Sequence, residues 1–100
     1  MRENKYLEEV KKLILDTLQG EKVKVVLFGS RARGEEYPAS DVDVGLLSSG
    51  NLDKKKLVLL REKLEDLNIP YKVELIDLSQ TSANFREEAL KKVVVWKDCN

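Results

Sequence analysis

No histidine occurs anywhere in the 100 residues. That absence removes Ser-His-Asp and Cys-His catalysis together with every histidine-ligated metal site. Cysteine is almost as scarce. The single one, Cys99, stands next to the last residue, so an internal disulfide and a cysteine-rich zinc site are both excluded. A terminal thiol of this kind reads as a loosely held end rather than a functional group. An excess of either charge is missing too: 18 basic residues face 18 acidic ones. No overall field draws the chain to nucleic acid, and no direct nucleic-acid contact is expected. Long apolar runs are absent, none approaching the ~18 residues of a membrane span, and the charged start contains no apolar signal segment. The expectation is a soluble, cytoplasmic protein with no membrane partner, forming a single domain over residues 1–100.

What is present is a strongly charged but foldable chain, 42% hydrophobic and 36% charged. Residues 3–19 place Tyr6, Val10, Leu13, Ile14 and Leu18 at helical spacing before Gly20, which predicts an opening amphipathic helix. "VKVVLF" (23–28) reads as a strand that Gly29-Ser30 breaks; "SRARG" then offers a short helix start before the loop "EEYPAS". "DVDVGLL" (41–47) alternates with period two and reads as a second strand, followed by the loop "SSGN". Leu57, Leu60, Leu64 and Leu67 predict a second amphipathic helix over 53–67, stopped by Asn68 and Pro70. "YKVELIDL" (71–78) reads as a third strand, Ser82 as the cap of a third long helix to about Lys92, and "VVVW" as a short last strand. The order predicts an α/β domain whose long helices cover one face of a small sheet and leave the other partly open.

Strand alternation then sorts the acids. Asp41 and Asp43 share one face, while Val42, Val44 and Leu46 take the core. In the third strand Val73 and Leu75 take the core, which puts Lys72, Glu74 and Ile76 on the aspartates' face and Asp77 opposite or in the turn. If the two strands are neighbours, Glu74 joins Asp41 and Asp43 as a third carboxylate. Three ionised acids need a counter-charge, and Mg²⁺ suits oxygen ligands and leaves positions for water and phosphates. Two such ions can stabilise both the attacking and the leaving oxygens of an in-line displacement. Gly29 permits close backbone approach; the amides after it and the Ser30 hydroxyl suit phosphate oxygens, and Arg31 and Arg33 add charge. Each feature alone has a bland reading: Asp-x-Asp as solvated surface acids, the arginines as a solvated helix face, Glu74 as an exposed strand acid. The glycine spacing of "GSRARG" also fits a P-loop, but Glu35-Glu36 replaces the Lys-Ser/Thr that loop requires. The informative signal is the combination of strand, Gly-Ser turn, ten intervening residues, Asp-x-Asp on a strand, and an acid on the matching face of the next strand.

"LFGSRARG", "SDVDVGLL" and "YKVELIDL", taken together, resemble the nucleotidyltransferase superfamily with the DNA polymerase β-like palm. Among its members they are most similar to the minimal MNT domains often paired with HEPN proteins in prokaryotic toxin–antitoxin operons. The resemblance implies an α-β-α-β-α-β core with a small mixed sheet, the first of the three main strands antiparallel to the others, and an active site on the face away from the long helices. It implies that Gly29 and Ser30 hold nucleotide phosphates and that Asp41 and Asp43 bind Mg²⁺. Glu74 stands where the family usually has an aspartate that ligates metal and activates the acceptor hydroxyl. This departure leaves open a working ligand or base, or a weak or inactive enzyme. Larger members append an acceptor-binding domain that has no counterpart here, so another polypeptide is expected to bring the acceptor. The implied activity is Mg²⁺-dependent transfer of AMP from ATP to a tyrosine of a HEPN toxin. The alternatives are a partner-binding module without catalysis, and a transferase for a small molecule or RNA whose acceptor site is completed by a homo-oligomer.

Overall fold

The computed structural model describes residues 5–29, 41–48 and 52–98. The short helix expected in "SRARG", the loops around "EEYPAS" and "SSGN", and Cys99 lie largely or wholly outside those residues. In chain order the described elements are α1 (Lys5–Thr17), β1 (Val23–Phe28), β2 (Val42–Ser48), α2 (Lys54–Glu65), β3 (Val73–Asp77), a 3-10 turn (Leu78–Gln80), α3 (Ala83–Leu90) and β4 (Val94–Lys97). The strands form one mixed sheet in the order β3-β2-β1-β4. β1 runs antiparallel to both β2 and β4. β2 and β3 are parallel, and α2 supplies the crossover that a parallel pair requires.

Each element follows from its sequence. α1 buries Val10 and Ile14, one turn apart, and Leu18 continues the stripe just past its end. Gly20 then adopts φ +87°, which reverses the chain at little cost for a residue without Cβ. Asp53 caps α2 by accepting from the Lys55 N–H at 2.9 Å, and Leu57, Leu60 and Leu64 are its buried face. These side chains meet Val23, Val25 and Leu27 of β1, Val42, Val44 and Leu46 of β2, and Leu75 of β3 in one core. Full burial of each such side chain stabilises the fold by about 1.5–3 kcal/mol before conformational entropy is counted. Lys97 fastens β4 to the start of β1, its ammonium donating to the carbonyls of Glu21 and Val23 at 3.0 and 3.1 Å.

Among the described residues the opposite face is covered in part, by the 3-10 turn and α3, which the sequence did not foretell in detail. Val26 and Phe28 alternate onto that face yet are buried. Their cover comes from the 3-10 turn and α3. Leu78 is fully buried over Gly45: a Cβ at position 45 would lie 2.5 Å from Leu78 Cδ1 and 3.2 Å from Val26 Cγ2. Glycine is the socket that admits Leu78. Beyond it, α3 is shorter than expected, ending at Leu90, and buries none of its own residues. It reaches the sheet through Phe85, whose ring meets Phe28 edge-on at 6.4 Å between centroids. α1 and α2 are therefore the long helices of the core face, and α3 belongs to the other side.

Candidate active site

β1 ends on Phe28, whose register partner is Asp43 on β2; Asp43 in turn is the register partner of Glu74 on β3. Register partners share a face, so Phe28, Asp43 and Glu74 form one row across three strands. Neighbouring strands lie about 4.8 Å apart, which makes Asp43 and Glu74 adjacent carboxylates.

Gly29 completes the row. Its φ of +78° is left-handed, and a Cβ built there would run into the Asp43 carboxylate. Glycine is required twice, once for backbone conformation and once because Asp43 uses the space. The turn after β1 and the acid of β2 are thus in direct apposition. Ser30, Arg31 and Arg33, the other expected phosphate-binding residues, lie outside the described residues.

The acids are not equivalent. Asp43 and Glu74 are half-buried, whereas Asp41 is exposed just before β2 begins. The ladder explains the boundary: the Val42 N–H donates to the Lys72 carbonyl at 2.8 Å, leaving Asp41 outside the strand. Among the described residues no group of three or more acids is gathered closely enough to hold a metal ion. The structure pairs Asp43 with Glu74 and leaves Asp41 two residues further along. The donor set still suits a hard divalent cation: it is all oxygen and it contains two adjacent carboxylates.

Lys72 is a neighbour to which the sequence reading gave no role. Its ammonium lies 3.5 Å from Glu74 Oε1, with the lysine mostly exposed. Alternation by two along β3 was the signal available for this pair. Asp77 is elsewhere. It is the register partner of Leu46, and its carboxylate accepts from the Ser79 N–H at 3.0 Å, capping the 3-10 turn. Ser79 Oγ accepts in turn from the Ser48 N–H at 3.1 Å, at the far end of β2 from Asp43.

Comparison with known proteins supplies the family. The family model for the polymerase beta nucleotidyltransferase domain matches residues 9–99. The chain belongs to that nucleotidyltransferase family. It is 37% identical over 71 residues to a Haemophilus influenzae protein named "Probable protein adenylyltransferase MntA". That match covers 71% of this chain and 62% of the relative, so the chain spans less than two thirds of the relative's length. Two solved structures share the fold. One is a toxin–antitoxin crystal structure with AMP-PNP, with TM-score 0.67, 24% identity, and coverage of 88% of this chain and 73% of that one. The other is a tri-AMPylated HEPN toxin from Shewanella oneidensis in complex with MNT antitoxin, with TM-score 0.63, 23% identity, and coverage of 91% and 68%. The mixed sheet with β1 antiparallel to β2 agrees with the fold expected from the sequence. No helix among the described residues is long and apolar enough to cross a membrane.

Proposed function

We propose that this chain is a Mg²⁺-dependent nucleotidyltransferase that moves AMP from ATP to a tyrosine hydroxyl of a HEPN-type toxin, and so acts as its antitoxin in the cytoplasm. The observation that carries this reading is the apposition of the Gly29 turn to Asp43, with Glu74 next in the row. The adenylyltransferase name of the Haemophilus relative and the toxin–antitoxin complexes among the structural neighbours support the choice of nucleotide and partner. In the reaction the acceptor oxygen bonds to the α-phosphorus, the bond from that phosphorus to the bridging oxygen breaks, and pyrophosphate leaves. Asp41, Asp43 and Glu74 would hold Mg²⁺, which when bound supplies charge neutralisation for the phosphates. The backbone at Gly29, with Ser30, Arg31 and Arg33 following, receives phosphate oxygens. In this reading Glu74, the register partner of Asp43, takes the acceptor's proton.

The test is to mix the chain with its candidate partner, ATP and Mg²⁺, and to weigh the partner by mass spectrometry. A gain of one or more AMP units, lost in Asp43→Asn and in excess chelator, is the expected result. One observation favours a second reading, neutralisation by binding alone: Glu74 is engaged by Lys72. A tight complex with no mass gain would establish that second reading. Transfer to a small molecule or RNA, with the partner untouched, would replace the acceptor class and keep the chemistry.

A further inference from the structure

We infer that Phe85 is the surface on which the base of the nucleotide stacks, making it the residue that sets purine over pyrimidine preference; the inference rests on the transferase reading above. The row across the sheet has two ends. Glu74 stands at one and Phe28 at the other, with Asp43 between them. Phosphates received at Gly29 sit at the Phe28 end, directly after that residue in the chain. The base, one ribose beyond the α-phosphate, and the acceptor must leave the reacting phosphorus in different directions. The acceptor belongs beside Glu74, which leaves the base the Phe28 end, where Phe85 is the aromatic group in contact with Phe28.

Phe85 is not explained by packing alone. Its edge-to-face contact with Phe28 needs only part of the ring, and the residue remains 45% exposed on a helix that buries nothing. The helix is nevertheless held firmly. Ser82 caps it by accepting from the Phe85 N–H at 3.2 Å. Arg86, the next residue, donates from Nε to the Leu78 carbonyl at 2.9 Å and from its terminal nitrogen to the Thr81 carbonyl at 3.0 Å. Leu78 is locked in the Gly45 socket. The exposed ring is therefore oriented before any ligand arrives, which removes part of the ordering cost of binding. A phenyl face recognises a base through its π surface and favours the larger rings of a purine. It carries no hydrogen-bonding group to tell adenine from guanine.

The experiment is calorimetry in Mg²⁺ with ATP, GTP, CTP and inorganic tripolyphosphate, on the unaltered chain and on Phe85→Ala, Phe85→Leu and Phe85→Trp, with thermal melting alongside. The unaltered chain should bind ATP and GTP alike and CTP more weakly. Phe85→Ala and Phe85→Leu should weaken ATP about tenfold, erase the purine preference, and leave tripolyphosphate within about twofold; Phe85→Trp should retain ATP affinity. Phe85→Leu keeps the apolar cover on Phe28, so it remains informative where the alanine variant melts early. Retained ATP affinity in the leucine variant overturns the inference, as does equal loss of tripolyphosphate. Unchanged ATP binding with a raised KM for the acceptor overturns it in favour of an acceptor contact. If the unaltered chain binds neither ATP nor tripolyphosphate, the transferase reading falls and the inference with it.

Discussion

The two faces of the sheet are built on opposite terms. On one, α1 and α2 press buried side chains from three strands and both helices into a continuous core. On the other, α3 buries nothing of its own and is held by a cap, an arginine and a ring edge. The first face carries the stability, while the second carries the polar row and keeps its acids within reach of solvent. The division means that chemistry and folding can be perturbed separately, and substitutions on the two sides should report different quantities.

The largest effect is expected on the polar side. Asp43→Asn should lower AMP transfer about a thousandfold, the scale of losing a group that acts on the reacting centre, while stability changes by less than about 1 kcal/mol. Glu74→Gln should follow it in direction. Unfolding of Asp43→Asn in a denaturant titration would show that the division between faces is wrong. Next, on the core side, Leu60→Ala should cost about 2–5 kcal/mol in urea unfolding and leave the activity of the folded fraction unchanged. Gly29→Ala tests the boundary between the faces. The left-handed backbone alone costs about 1–3 kcal/mol, and the added carbon displaces Asp43, so both melting temperature and nucleotide affinity should fall. Gly20→Ala is the control: the same backbone sign with nothing near the new carbon, hence about 1–2 kcal/mol of stability and no change in affinity. The smallest effect is expected for Asp77→Ala, about 1 kcal/mol for a lost cap with transfer unaltered. A large loss of transfer there would mean that Asp77, not Glu74, serves the site.

Much of this division was legible in the sequence. The alternation of Val42, Val44 and Leu46 against Asp43, and of Leu75 against Glu74, gave the faces, because a strand has only two. The cap Ser82 and the stop at Gly20 follow from local chemistry that tertiary structure rarely overrides. What escaped was set by long-range contact. α3 was expected to be longer and gave no sign of its face, since a helix of eight residues that buries nothing carries no apolar stripe to read. Asp41 was assigned to the strand, but the first ladder bond goes to Val42. The three acids were expected to gather, yet only Asp43 and Glu74 become register partners. Lys72 stood on the face of Glu74 by alternation but was given no role, and Phe85 against Phe28 depends on how side chains meet in space, which spacing alone does not give.

The direction of a single strand decides whether the polar row has a glycine turn at its end at all. Because β1 runs against β2 and β3, its C-terminal end lies beside their beginnings, and the glycine that ends it arrives at Asp43. Were β1 to run with them, the same residues in the same sheet position would send that glycine to the other end of the strands, roughly 16 Å away. The acids would remain side by side with no turn against Asp43. Strand polarity, a property no residue carries by itself, is what brings the turn and the acids together.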